Sequence, residues 1–276
     1  MDIGRHELLV RELKFPPRPE VVTILAQEGA REHPDVHRIC KAVKADVAMA
    51  GAMLKAVNSP VFALSKKVTT IDGAIAVLGV KNVKSIATGL ALRSSVGSGP
   101  SMERFWDSAE KVALISAHVA KVFRTTKADE AYTYGLFHNC GIPMLMQRFP
   151  NYRDALIAAN KNAEVPFTTC EDDVVGTNHA VVGYFLARAW ELPDATTEAI
   201  LRHHESDVFD QTELAGQTHG LIAIGHMAEH IYHLMVRTSV DLEWERFGAA
   251  SLAHLGFSEA EFFEIADDAQ AVAKAS

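Results

Sequence analysis

Apolar residues recur at helical period along almost the whole chain, and this constrains the fold more than any other feature. In DVAMAGAMLKAVN (46–58), Val47, Ala50, Met53, Leu54 and Val57 fall near the i, i+3, i+4, i+7 positions of one helix face. SIATGLALRSSV and RFWDSAEKVALISAHVAKVF repeat that period. Alternation of the strand type, bounded by turn residues, is scarce, so an all-α fold is expected. At 276 residues the chain can bury a sizeable core without disulfides or structural metals.

Turn and cap signals divide the helices. KFPPRPEVV (14–22) is a stiff, extended entry, with Pro19 placed for the first turn of a helix. Thr70 or Asp72 can cap GAIAVLG, and Gly79 ends that helix before the next begins. Ser258 and Glu261 have the spacing of a capping box, and Asp194, just after Pro193, can cap another helix. VGSGPSMER (96–104) is the richest Gly/Ser/Pro stretch, so a subdomain boundary is expected there. The expected parts are an N-terminal helical part over 1–100, a helical bundle over 101–240 and a helical extension over 241–276.

Charge and composition exclude several classes. A net charge of −8 argues against a surface built for phosphate backbones, so nucleic acid is not expected as a partner. Cys40, Cys140 and Cys170 are widely spaced and odd in number, which fits neither a disulfide framework nor a zinc ribbon but does fit a reducing cytoplasm. The N-terminus lacks the apolar run of a signal peptide, and the longest apolar segments carry His and Glu, so no membrane association is expected. No P-loop, dinucleotide fingerprint or Ser-His-Asp order is present.

Histidine is the distinctive residue. Ten of thirteen lie from His118 onward, and their positions matter more than their number. In GLFHNCG (135–141), His138 closes an expected helix and is followed by Asn139; His179 begins another helix, His203 and His204 close a third, and Glu229 lies within a fourth. Imidazoles and carboxylates delivered from separate helices into a bundle core are a standard way to hold a divalent cation. Each of these histidines, taken alone, more often serves as a helix cap than as a metal ligand. His226, His230 and His233 share a helix face and can be only its polar side. Trp106 and Trp190 are expected as core anchors, and Cys140 as buried packing.

Taken in order, LKFPPRPEVV, KADVAMAGAMLKAVNSPVFA, VTTIDGAIAVLGVKNVKSIATGLAL, RFWDSAEKVA, YTYGLFHNCGIPML, EDDVVGTNHAVVGYFLARAWELP and AILRHHE resemble the HDOD family, the HD-related output domain of bacterial signalling proteins, over about residues 10 to 235. The Asn58-Ser59-Pro60 element and the stretch from His179 to Pro193 are its most specific parts, although Asn and Ser before Pro also simply end a helix. The resemblance implies a multi-helix HDOD architecture related to the HD and HD-GYP phosphohydrolases, with an HD-like bundle in the second part. It maps the family's paired His-Asp onto His138-Asn139, further ligands onto His179 and His203 or His204, and an acidic ligand onto Glu229. Glu171 matches an acidic position that can support a histidine ring or only sit in an acidic first turn, and Asp107, near the place of an early ligand, more often is an exposed first-turn acid favoured by the helix dipole.

Two departures weigh against catalysis. Asn139 stands where the family has an Asp that can bridge two cations, and FWDSAEKVA offers Asp107 and Ser108 where an early His belongs. His118 is about three helical turns further on and out of reach. The expectation is therefore a stand-alone, non-catalytic, cytoplasmic signalling or regulatory protein that binds a protein partner or a small ligand such as a nucleotide. It would require no cofactor and could hold one divalent metal in a degenerate site. The alternative is a metal-dependent phosphohydrolase acting on nucleotides or cyclic dinucleotides.

Overall fold

The computed structural model describes residues 6, 9–10, 12–58, 64, 66–97, 100–236 and 239–274. Among these residues the regular structure is entirely helical, as the apolar period requires. The first helices are α1 (Glu20–Gly29), α2 (Val36–Lys44), α3 (Val47–Val57) and α4 (Ile71–Val96). They are followed by α5 (Pro100–Phe123), α6 (Ala128–Phe137), α7 (Gly141–Arg148), α8 (Tyr152–Ala159) and α9 (Phe167–Val175). The chain continues through α10 (His179–Ala189), α11 (Asp194–Arg202), α12 (Gly216–Val236), α13 (Leu242–Leu255) and α14 (Glu259–Lys274).

Side-chain caps start several of these helices. Asp35, Asp46, Thr70, Asn178 and Asp241 each accept a backbone N–H from the first turn that follows, which satisfies donors that a helix leaves unpaired. Ser258 and Glu261 form the reciprocal capping box. Two expected caps differ. Asp194 is the first helical residue and makes no cap, because Pro193 occupies the boundary in an extended conformation. Pro19 likewise precedes α1 as its cap residue instead of lying in its first turn.

Gly79 interrupts α4 with φ 74°, ψ 163°, a conformation open to glycine and strained for other residues. Helix α4 is long and apolar enough to cross a membrane, but this break divides it, and 56% of its most apolar window is buried against the rest of the fold.

Helices α1, α2 and α3 pack on α4, which in turn packs on α6. The fully buried Glu28 carboxylate joins α1 to α2, accepting hydrogen bonds from Arg38 Nη1 at 2.6 Å and from the Asp35 N–H at 2.9 Å. Helix α5 lies along α6 and α12, and α10, α11 and α12 pack in succession beside them. A continuous apolar core runs from Val22 and Leu25 of α1 to Ala269 and Ala273 of α14. Two buried indoles pin the links between elements: Trp106 donates to Gly97 O, and Trp190 donates to Pro16 O at the extended entry.

Ser59 and Pro60 lie outside the described residues, but Asn58 is well defined. Its amide donates to Leu54 O and Val68 O, both at 2.7 Å, and its Oδ1 accepts from Val68 N at 2.8 Å. One side chain thus ties the end of α3 to Val68, on the approach to α4. Asn58→Ala removes all three bonds, and urea unfolding is expected to give a loss of about 1–3 kcal/mol. A loss below about 0.5 kcal/mol would mean that this clasp is not what holds Val68 to the end of α3.

Candidate metal centre and pocket

The two glycines of GLFHNCG explain how the site is assembled. A Cβ at Gly135 would lie 2.9 Å from Ala113 Cα and 2.6 Å from Ser116 Oγ, so α6 rests directly on α5. A Cβ at Gly141 would lie 2.2 Å from His179 O, so the start of α7 rests on the backbone of the first turn of α10. His138 caps α6 between these two contacts, and His179 is thereby brought beside it. Close packing of α10 on α11 then delivers His203 and His204 from the end of α11.

The ring orientations have a common pattern. His203 Nδ1 faces Ile200 O at 2.8 Å. His179 Nδ1 faces Glu171 Oε2 at 2.7 Å, and His204 Nδ1 faces Glu243 Oε2 at 2.6 Å. A carbonyl or carboxylate oxygen accepts, so each Nδ1 carries the proton and each neutral ring presents a lone pair at Nε2. Those lone pairs converge: His179 Nε2 lies 3.3 Å from His203 Nε2 and 3.2 Å from His204 Nε2. One ligand atom from each of the three rings lies within 4.8 Å of the others.

Facing lone pairs need a positive charge between them. Burial, together with the neighbouring charges of His204, His179 and His138, holds His203 well below the usual imidazole range. Burial also opposes charge on His204, but Glu243, with Glu229 and Glu171 behind it, pushes that ring above the ordinary value. A proton on His204 serves one such contact. A cation serves all three rings, and the two Nε2 separations match the edge of a tetrahedron, about 3.3–3.4 Å for metal–nitrogen bonds of about 2.0–2.1 Å. The donors therefore fit a single zinc-like ion held by His179, His203 and His204. Glu171 and Glu243 orient the rings, as ligand-supporting carboxylates do.

The remaining half of the site is internally satisfied. Glu229 Oε1 lies 2.9 Å from His138 Nε2 and accepts from Asn139 Nδ2 at 3.0 Å, while His138 Nδ1 faces Gly135 O at 2.8 Å. Burial would raise the Glu229 carboxyl, but the charge and hydrogen bond of His138, with His204 and His226, outweigh it and hold the group at about 2. Asn139 donates where an Asp would repel, so Glu229 is paired without a second cation.

Of the expected residues, His138, Asn139, His179, His204 and Glu229 line one pocket of about 840 Å³, with His203 buried behind it. Glu171 is fully buried beneath His179 and also accepts from Tyr152 OH. Asp107 is exposed, as its reading as a surface acid expects, and is not in the pocket lining where its reading as an early ligand would put it; its neighbour Ser108, bonded to Tyr232 OH at 3.0 Å, takes that place. The helical register sets this, because one residue turns a side chain by about 100°. Sequence reasoning missed Glu243, Tyr152 and Phe167, whose ring stacks on His204 with centroids 5.4 Å apart. Glu243 lies beyond the stretch that carries the resemblance, and an aromatic at the start of α9 carries no sequence mark of such a role.

The sequence profile of the HDOD domain matches residues 15–206. A curated relative, an uncharacterised protein of Treponema pallidum (strain Nichols), is 26% identical over 189 residues, which is 66% of this chain and 36% of the relative. The chain thus spans about a third of the length of that relative. A solved structure of a provisionally assigned phosphohydrolase from Shewanella amazonensis SB2B aligns with TM-score 0.71 at 21% identity, covering 99% of this chain and 98% of the other. An HDOD domain protein of unknown function from Geobacter sulfurreducens gives 0.68 at 18% identity, covering 98% and 99%. At such identities the likeness establishes the all-helical HDOD fold.

Restoring the carboxylate tests the self-satisfied half of the site. Asn139→Asp sets two carboxylates together and removes the amide donor, so in EDTA the variant is expected to lose about 1–3 kcal/mol of stability. Added Mn²⁺ should raise its melting temperature by more than it raises the parent protein's, closing the gap between them. A variant as stable as the parent in EDTA would contradict this account.

Proposed function

We propose that this chain, which belongs to the HDOD family, is a non-catalytic signalling or regulatory protein whose HD-like pocket binds a small ligand or protein partner. In this reading one cation sits on His179, His203 and His204. The observation that carries it is the Asn139 amide donated to Glu229 at 3.0 Å beside His138. A two-metal hydrolase uses a bridging carboxylate to hold two cations on the attacking and leaving oxygens. An amide with no charge, hydrogen-bonded to the other acidic ligand, cannot take that part.

When bound, the cation supplies fixed positive charge at the pocket floor. Tyr152 and Glu171 hold His179 in the tautomer that faces it, Ile200 O does the same for His203, and Glu243 for His204. His138 and Glu229 remain paired with each other. Their mutual pairing keeps both from acting as a free acid or base.

A second reading, a metal-dependent phosphohydrolase with an altered ligand set, is favoured by one observation. Three protein ligands beside an open pocket match the arrangement in which a catalytic zinc keeps its fourth position for water or substrate. The two readings diverge in rate and not in metal content.

Protein purified without chelator or metal-affinity steps and loaded with Zn²⁺ is expected to retain about one ion per chain by elemental analysis. His203→Ala and His179→Ala should each abolish retention. Bis(p-nitrophenyl) phosphate should stay intact with Zn²⁺, Mn²⁺, Mg²⁺ or Ni²⁺. Metal-dependent turnover that disappears in His179→Ala would replace the first reading with the second.

A further inference from the structure

We infer that the pocket above the histidines takes an amphipathic anion, its charged group held by Arg104, Arg153 and Lys161 and its apolar body lying between α5 and α8. This deepens the binding reading proposed above and rests on it for the choice of pocket.

The two walls come from ordered helix faces. On α8 and just beyond it, Arg153, Leu156, Ile157 and Asn160 all line the pocket at i, i+3, i+4 and i+7. On α5 the facing residues Phe105, Ala109 and Val112 also recur at helical spacing, and Met146 of α7 adds to the apolar surface. Ile157 is 47% exposed, a large apolar side chain left open at the edge of this opening. A pocket of about 840 Å³ with apolar walls and a few polar groups has the size and character of a small-molecule site.

The charges at its two levels are in different states. The pocket's carboxylates are all paired: Glu229 with His138, Glu243 with His204 and Arg246, and Asp241 with His230 and His233. At the mouth, Arg104, Arg153 and Lys161 are exposed and make no ion pair or side-chain hydrogen bond with any described residue. Several other arginines, Arg18, Arg38, Arg148, Arg202 and Arg246, each meet a carboxylate. In a chain of net charge −8, three uncommitted cations around one opening leave that opening positive on its rim.

Neither half of this surface is explained by a simpler ligand. A bare phosphate would leave the apolar walls of α5 and α8 wet, and a neutral hydrocarbon would leave the three cations without a partner. A molecule carrying both a ring or chain and an anionic group covers both. Acyl carboxylates and nucleotides share that chemistry.

The test uses 8-anilinonaphthalene-1-sulfonate, a fluorescent amphipathic anion, on the full chain in EDTA. Saturable binding at about one site per chain is expected, weakening with added salt. In the double variant Arg153→Glu, Lys161→Glu the affinity should fall about tenfold or more, while the neutral dye Nile red changes less than about twofold. Both positions are exposed, and matching circular-dichroism melts will show that the variant is folded. An Ile157→Asp variant, folded by the same criterion, should weaken both dyes. Displacement of the anionic dye by decanoate or by adenosine monophosphate, with inorganic phosphate inert, supports the inference and tells the acyl source from the nucleotide one. Unchanged dye affinity in the double variant, or displacement by inorganic phosphate as effective as by the larger anions, overturns it. Because the titration is made without metal, its result stands apart from the metal content and turnover that decide the reading of the histidine site.

Discussion

A carboxylate with no exposure to solvent must find its partners inside the protein, and Glu171 organises the centre of this molecule around that requirement. One of its oxygens takes the Tyr152 hydroxyl from α8, and the other takes His179 Nδ1 from the start of α10. Breaking such a buried pair by removing one partner costs about 3–5 kcal/mol, because the charge left behind has nowhere to go. Three helices are thereby fixed relative to one another by one side chain. The same bond selects the His179 tautomer whose free nitrogen faces the pocket. Structure and site chemistry therefore rest on one contact.

From that contact the site divides in two. His179, His203 and His204 have their Nδ1 atoms engaged and their Nε2 atoms turned toward a shared space. His138, Asn139 and Glu229 have turned toward one another. Only the first group gains from an added positive charge. The second has already neutralised its single carboxylate, and its hydrogen bonds would have to be broken before a cation could enter. The Asn139 amide is enough to produce this asymmetry, because it sets a donor beside Glu229 where a carboxylate would set an acceptor.

The fold was readable because its signals are local. Periodicity gives the helices, and Thr70, Gly79 and the Ser258–Glu261 pair mark ends that the structure places where their chemistry requires. Proline was less informative about register: Pro19 and Pro193 mark the right boundaries, but each lies one residue outside the helix it was expected to open or precede. The histidines could be gathered from their order along the chain, yet their pairing into two groups depends on ring orientation, which spacing does not encode. Glu243 and Tyr152 escaped notice for a related reason. Each is one carboxylate or phenol among many, and only the packing of α13 on α12 and of α8 on α9 brings them under a histidine. Asp107 stands a single residue of helical phase away from Ser108, which lines the pocket.

The histidine group is also joined to the pocket wall by a continuous chain of polar contacts. His204 Nδ1 meets Glu243 Oε2, and Arg246 Nη1 donates to Glu243 Oε1 at 2.9 Å. The other end of that guanidinium donates to three backbone carbonyls, those of Asn162, Ala163 and Val165, at 2.8–2.9 Å. These carbonyls belong to the link between α8 and α9, which begins beside Asn160 and Lys161 at the pocket mouth. A planar guanidinium that holds a carboxylate on one side and a turn of backbone on the other transmits position well, because it has little freedom of its own. The charge state of His204 thus bears on Glu243, and Glu243 on the group that shapes the link. For a protein that reports whether its pocket is filled, a bonded route from floor to rim is the kind of element on which occupancy at both ends can act.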